Sequence, residues 1–266
     1  MTQARVLEGN GVAIEALIGG SGPLVVMIPS LGRAAEDFDD LARRLNAAGY
    51  ATACVQPRGL GRSQGPATGL SMADLAGDVA LVIEGLGGGP VLLIGHAFGQ
   101  RVARMLATLR PDLVKGVVML AAGGKVPIPD RAREALLGCF DPSLPADKHL
   151  EHVGYAFFAP GNDPAVWRTG WHPEVARMQR AATQGLVGAA AGRATSTVTW
   201  WGGGSARILV MQGLQDTVAL PENGRLLKAE FGDRIELIEI DGAGHALLPE
   251  RPAAIADAVL AFIQRL

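Results

Sequence analysis

Three short segments place groups that could do chemistry directly after predicted strands. Residues 95–99 read GHAFG, residues 212–216 end on Asp216, and residues 241–245 end on His245. A carboxylate and an imidazole are groups with which proteins move protons. The glycines at both ends of 95–99 permit the sharp strand-to-helix turn of a nucleophile elbow. Its central residue, Ala97, offers only a methyl group, which cannot attack a carbonyl.

Alternating strands and helices position these segments. Apolar runs predict strands at 23–30, 50–56, 90–94, 114–121, 207–212 and 235–240. Helical spacing predicts helices at 35–48, 72–86, 100–109, 222–231 and 253–266. This order indicates an α/β fold with a mostly parallel, doubly wound sheet. Because parallel strands end at one edge of a sheet, the three segments should meet there.

The alternation is interrupted once, between residues 123 and 204. That stretch has no clear strand and holds most of the aromatic residues. Since the strand pattern resumes after it, we predict a helical insertion at 123–204 within a single core domain formed by residues 1–122 and 205–266.

Composition narrows the class of protein further. The 266 residues are 48% hydrophobic and 19% charged, which excludes general disorder. Scattered charges summing to −2 argue against nucleic acid and an anionic membrane as partners. No apolar run reaches the length of a membrane span and no secretory peptide is visible, so we expect a cytoplasmic protein. Cys54 and Cys139 form neither a metal spacing nor a disulfide framework, and nothing indicates the oligomeric state.

With this strand order, the sequence resembles the α/β-hydrolase superfamily over essentially its whole length. The segment 95–99, Asp216 and His245 follow one another in that family's order of elbow, acid and histidine. Residues 57–63 (PRGLGRS) resemble its D-x-R-G-x-G-x-S loop, although the Asp is absent. The resemblance implies that 123–204 forms a cap, that Asp216 orients His245, and that the backbone N–H groups of Leu31 and Phe98 form an oxyanion hole. It implies no cofactor and no metal.

Ala97 departs from the family pattern, in which this position is serine. One interpretation is that a serine has been replaced by alanine. The other is that the alanine is natural, because GHAFG resembles the G-H-A-x-G of aminoacrylate and carbamate hydrolases of pyrimidine breakdown, and residues 29–33 (PSLGR) resemble their oxyanion loop. On the second interpretation His245 activates a water molecule directly. Ser30 cannot simply take over as nucleophile, since its place resembles the family's oxyanion loop and not the elbow.

The resemblance also suggests residues that contact substrate. Caps of this fold resemble lids, so one or two of the tryptophans should face an apolar molecule, although such rings more often form the cap's own core. Arg33 could steer an anion or could be a solvated arginine at a helix start, and His96 could simply fill the turn beside the elbow. The candidate substrate-binding residues are Ser30, Arg33, His96, Trp167, Trp171, Trp200 and Trp201.

The sequence thus predicts a hydrolase that cleaves an ester, lactone, thioester, carbamate or activated amide in a small apolar molecule. Two alternatives stay open. The His–Asp pair could abstract a proton in a cofactor-free lyase, or the chain could be a ligand-binding protein built on a catalytically dead hydrolase scaffold. The fold hosts many chemistries, so it does not choose among these.

Overall fold

A mostly parallel sheet organises the molecule. The computed structural model describes residues 3–183 and 200–266, which contain eight strands: β1 Gln3–Gly9, β2 Val12–Gly19, β3 Leu24–Ile28, β4 Ala51–Val55, β5 Val91–His96, β6 Val114–Leu120, β7 Arg207–Gly213 and β8 Ile235–Ile240. The spatial order is β1-β2-β4-β3-β5-β6-β7-β8. The six strands from β3 to β8 are parallel to one another, and the predicted α/β fold is confirmed.

The first two strands were not predicted. β1 and β2 form an antiparallel hairpin, and β2 also pairs antiparallel with β4. The turn between them is Asn10-Gly11, and both residues have positive φ, 52° and 76°. This dipeptide between two half-buried strands is a strong sequence signal for a hairpin, which the strand prediction overlooked.

Helices cover both faces of the sheet. In the described residues they are α1 Asp39–Ala47, α2 Met72–Gly85, α3 Phe98–Leu109, α4 Asp130–Gly138, α5 Ala146–Phe157, α6 Pro173–Ala182, α7 Glu222–Phe231 and α8 Pro252–Ile263. The alternation of side chains along β3 shows how the two layers form. Val25 and Met27 belong to the core under α1 and α8. Val26 and Ile28 belong to the core under α2, α3 and α7.

The predicted helix over 35–48 has two parts, a 3₁₀ turn at Ala35–Phe38 followed by α1. The predicted helix at 100–109 begins at Phe98, directly after the elbow. Both predicted helical segments are therefore present, with different starting residues.

The predicted insertion lies between β6 and β7. Its described parts, 123–183 and 200–204, contain α4, α5 and α6 and the short 3₁₀ turns Pro164–Trp167 and Trp200–Gly202, with no strand among them. The remainder of the predicted insertion, 184–199, lies outside the described residues. The boundaries at 123 and 204 therefore stay a prediction.

The sheet has one point where the direction of winding reverses. From β3 the chain goes to β4 on one side and later returns to β5 on the other, so the loops after β3 and β5 leave the same edge and diverge. Such a crevice is where open α/β sheets bind ligands. Within residues 3–183 and 200–266, no helix has the length and apolarity that crossing a membrane requires.

Candidate active site

The elbow is built as the glycines predict. Ala97 joins β5 to α3 with φ 47° and ψ −102°, a conformation that L-residues rarely adopt. A Cβ on Gly95 would collide with the backbone of Gln100, and a Cβ on Gly99 would lie 2.6 Å from the carbonyl oxygen of Pro29. Strain of this kind costs about 1–3 kcal/mol and persists mainly at functional positions. The fold therefore retains the elbow although its central residue is alanine.

Asp216 and His245 form a buried hydrogen-bonded pair. Asp216 Oδ2 lies 2.8 Å from His245 Nδ1, and the two residues are 2% and 5% exposed. The other carboxylate oxygen, Oδ1, accepts the backbone N–H groups of Val218 and Ala219 at 2.8 and 2.7 Å. These bonds fix the carboxylate, so it holds the proton of His245 on Nδ1. Nε2 of His245 is then left with its lone pair.

A residue that the sequence analysis missed holds the histidine loop. The buried carboxylate of Glu250 accepts the backbone N–H groups of Gly244 and Leu247, on either side of His245, at 2.9 Å each. It also accepts the N–H of Ala159, at 2.8 Å, from the segment between β6 and β7. One carboxylate therefore ties this segment to the loop that carries the imidazole. Only its position five residues beyond His245 could have indicated this role.

A cavity of about 590 Å³ opens above the elbow, a size suited to a small-molecule ligand. Five of the predicted site residues contribute to its wall: Leu31, Ala97, Phe98, Trp200 and His245. Most of the remaining described wall is apolar and comes from the loops after β6 and β7 and from α4. The sheet and the predicted insertion thus enclose one space between them.

The predicted oxyanion donors lie on neighbouring strand ends. Ile28 pairs with Gly95, so the loops that follow these residues run side by side towards Leu31 and Phe98. In the described part of the chain, the N–H of Leu31 donates to no protein oxygen. Phe98 is the first residue of α3, where backbone N–H groups have no intrahelical partner and the helix dipole is positive. Ser30 precedes Leu31 and is 2% exposed, and it does not belong to the described cavity wall.

His96 lies behind the cavity and not in its wall. Its Nε2 donates to the backbone carbonyl of His245 at 2.8 Å, and its ring packs edge-on against Trp167. Burial lowers the pKa of His96 to about 3, so the imidazole is neutral. His96 therefore supports the backbone of His245, in agreement with the expectation that it fills the turn beside the elbow.

Arg33 is neither solvated nor directed at the cavity. It is 3% exposed, and its guanidinium lies 4.4 Å from the ring centre of Trp167 and 4.6 Å from that of Trp171. Asp37 accepts from Nε at 2.8 Å, and the carbonyl of Thr169 accepts from Nη1. The solvated arginine expected from the sequence is wrong, because residues distant in sequence enclose it. Arg33, Trp167 and Trp171 instead bind the segment between β6 and β7 to the loop after β3.

The two consecutive tryptophans have different surroundings. Trp200 lies in the cavity wall. Trp201 does not, and its Nε1 donates to Glu230 at 2.6 Å. The guanidinium of Arg104 packs against both rings, 4.4 and 4.7 Å from their centres. Of the four candidate tryptophans, one or two of which were expected to face substrate, the described cavity wall includes Trp200.

Comparison with known proteins agrees with this architecture. A model of the alpha/beta hydrolase fold matches residues 23–252. Epoxide hydrolase B of Mycobacterium tuberculosis (strain ATCC 25618 / H37Rv) is 32% identical over 157 residues, 56% of this chain and 43% of that protein. The 2-(acetamidomethylene)succinate hydrolase of Mesorhizobium japonicum is 32% identical over 117 residues, 44% of this chain and 42% of that protein. These matches span less than half the length of either relative.

Solved structures show the same fold at lower sequence identity. The crystal structure of the putative non-heme bromoperoxidase BpoC from Mycobacterium tuberculosis H37Rv superposes with a TM-score of 0.77 at 24% identity, over 97% of each chain. A serine hydrolase from a Cycloclasticus bacterium that degrades polyaromatic hydrocarbons superposes with a TM-score of 0.79 at 17% identity. The model of the alpha/beta hydrolase fold covers most of the sequence, including the loops after β7 and β8 that carry Asp216 and His245. This chain therefore belongs to the alpha/beta hydrolase fold family.

Proposed function

We propose that this protein is a hydrolase in which His245, oriented by Asp216, activates a water molecule as general base. The observation that carries the proposal is the 2.8 Å hydrogen bond between Nδ1 of His245 and Oδ2 of Asp216. His245 and the elbow residue Ala97 line the same cavity. This bond leaves Nε2 able to accept a proton. The names of the relatives, two of which are hydrolases, support the same class of reaction.

The reaction begins with water placed between His245 and the acyl carbon, in the space that the methyl group of Ala97 leaves. His245 Nε2 takes a proton from the water as its oxygen bonds to the acyl carbon and the carbonyl becomes an oxyanion. When the tetrahedral intermediate collapses, the bond to the leaving group breaks and the imidazolium returns the proton to it. Asp216 stabilises the imidazolium between the two steps. No acyl-enzyme forms, because Ala97 has no nucleophilic atom.

The backbone N–H groups of Leu31 and Phe98 donate to the oxyanion in this proposal. A preorganised donor of this kind lowers the barrier by about 3 kcal/mol, and general-base catalysis contributes about 10²–10⁴-fold. These two contributions do not depend on a serine. They suit a substrate whose acyl group is already reactive: an activated ester, lactone, thioester, carbamate or amide.

The apolar wall supports a small substrate with an apolar body. Its lining residues include Leu31, Phe98, Val126, Ile128 and Leu136. A cavity of about 590 Å³ is of the size that accommodates a small molecule.

Replacement of the general base tests the proposal. On a panel of activated esters, lactones, thioesters and carbamates, His245→Gln should lower kcat by at least about 100-fold. His172→Gln is the matched control, because His172 precedes α6 outside the described cavity wall, and it should keep kcat. Undiminished turnover by His245→Gln would overturn the assignment.

A further inference from the structure

The described wall of the cavity contains four cationic side chains and no carboxylate. The cations are Arg101, Lys125, Arg133 and Arg180. The chain as a whole carries a net charge of −2, so this concentration of positive charge does not follow from composition. It is a local property of the space in front of His245.

Two of the four cations are already neutralised. Lys125 Nζ lies 2.8 Å from Glu230, and Arg133 Nη1 lies 3.3 Å from Asp130. The Lys125 and Arg133 side chains are also 29% and 57% exposed, so water and the paired carboxylate together compensate both charges. These two cations therefore leave little charge for a ligand to compensate.

Arg101 and Arg180 have no such partner. Among the described residues, no carboxylate lies within 4.0 Å of either guanidinium. Residues 184–199 contain neither Asp nor Glu, so that segment has no carboxylate to offer. The Nη2 atom of Arg180 is buried and has no hydrogen-bond partner in the described structure.

In the part of the chain that the structure describes, both guanidinium groups pack against aromatic rings and not against carboxylates, and that of Arg180 lies 4.9 Å from the ring centre of Phe140. Arg101 lies on the first turn of α3, four residues beyond Ala97, and its guanidinium packs 5.8 Å from the ring centre of Trp200. Arg104, fully buried one turn later, adds a further positive charge, and its Nη groups donate to the backbone carbonyls of Trp201 and Gly123. Burial lowers the pKa of Arg101 and of Arg180. An arginine stays charged under such conditions, so its desolvation is a cost that an anion would offset.

We propose that the substrate carries a carboxylate on its apolar body, and that Arg101 and Arg180 bind this carboxylate. The inference rests on the proposed function, since it names the substrate class of the same cavity. Guanidinium groups match the planar carboxylate with paired N–H donors. With one end held there, the apolar body lies along the wall, and the scissile acyl group reaches Ala97 and His245. Arg101 and Arg180 are binding residues in this arrangement, and Arg33 has no part in it.

The test measures binding without turnover, so it does not depend on the hydrolytic proposal. Hexanoate and hexanamide have the same shape and differ in charge. Titration calorimetry on the unaltered protein should show hexanoate binding at least about tenfold more tightly, because hydrogen bonds to charged groups are worth more than neutral ones. Arg101→Gln and Arg180→Gln should each abolish this preference and leave the affinity for hexanamide unchanged. Arg101→Lys, which keeps the charge, should retain part of it.

Arg177→Gln is the matched control. It removes one positive charge from α6, at an exposed position already paired with Glu174, and should keep the preference for hexanoate. Equal affinity for the two ligands in the unaltered protein would overturn the carboxylate site. So would a preference that survives both Arg101→Gln and Arg180→Gln. Inorganic phosphate is a further probe, and a preference for phosphate over hexanoate would contradict the assignment to a carboxylate.

A kinetic comparison separates the two proposals. Mono-4-nitrophenyl glutarate should have a higher kcat/KM than 4-nitrophenyl pentanoate, and Arg101→Gln should remove the difference through KM. Carboxylate-selective binding without hydrolysis of either ester would contradict the proposed function and leave the carboxylate site standing. Hydrolysis of both esters at equal kcat/KM would contradict the carboxylate site and leave the proposed function standing.

Discussion

Asp216→Asn is the substitution whose effect the structure specifies most fully. Oδ1 of Asp216 accepts two backbone N–H groups, from Val218 and Ala219. An asparagine must keep its carbonyl oxygen there, since an NH₂ group cannot accept a hydrogen bond. The amide NH₂ therefore faces Nδ1 of His245, at the place where Oδ2 now lies 2.8 Å away. The ring must then accept on Nδ1 and carry its proton on Nε2.

Two losses result from this reversal. A His245 protonated on Nε2 cannot take a proton from water, and the imidazolium loses the negative charge beside it. Two opposite charges about 4 Å apart near a protein surface interact by roughly 4 kcal/mol, equivalent to about 10³-fold in rate. The wrong tautomer at such a pair typically costs about 10⁴-fold in kcat. Because the two effects overlap, we expect kcat to fall by about 10³–10⁴-fold.

The assay is steady-state hydrolysis of the best ester of the panel, with thermal unfolding to confirm that the variant folds. Asp241→Asn is the control, because Asp241 follows the neighbouring strand β8 and its carboxylate contacts Gln215 at the surface. Its kcat should match that of the unaltered protein. If Asp216→Asn kept more than about a third of kcat, the general-base role derived from the hydrogen bonds would be refuted.

Two further predictions concern stability. His96 is neutral when folded, with a pKa of about 3, whereas the unfolded chain binds its proton below about pH 6.5. Relative to His96→Gln, the unaltered protein should therefore lose up to about 1.4 kcal/mol of unfolding free energy per pH unit as the pH falls from 6 to 4. Urea unfolding at a series of pH values measures this, and the same dependence of unfolding free energy on pH in both proteins would contradict it. Asp78→Ala leaves the buried guanidinium of Arg58 without its two 2.6 Å hydrogen bonds and should cost about 3–5 kcal/mol in the same assay. Glu174→Ala is the control, because it removes one partner of the exposed Arg177–Glu174 ion pair and should hardly change the urea midpoint. If Asp78→Ala and Glu174→Ala destabilised the protein equally, the effect assigned to burial would be refuted.

Features set by local sequence were predictable. The apolar run at 23–30 indicated a strand buried on both faces, and β3 is one. The glycines of 95–99 indicated a sharp turn, and Ala97 adopts the required positive φ. Asp216 and His245 could be paired before the structure because each lies on the loop that follows a strand of a parallel sheet, which brings strand ends together.

Features set by distant contacts were not predictable in the same way. The local sequence around Arg33 indicates a surface arginine, but in the structure the carbonyl of Thr169, 136 residues away, accepts its N–H group. Trp167 and Trp171 could have faced substrate or the protein interior, and only the packing of their rings on Arg33 decides this. The charge of the cavity likewise depends on which cations find a carboxylate, which no single segment of sequence specifies.

The central claim is that water activated by His245, and not a serine at the elbow, attacks the substrate. The most direct measurement compares the chain with its Ala97→Ser variant in ¹⁸O-labelled water, on the same activated ester. We expect that the alanine form turns over, that its acid product carries one labelled oxygen, and that serine adds little to kcat. Turnover by the serine variant alone, with covalent labelling by a phosphonate probe, would contradict it. So would turnover of the alanine form without the label, which would place the His–Asp pair in a proton-abstraction reaction.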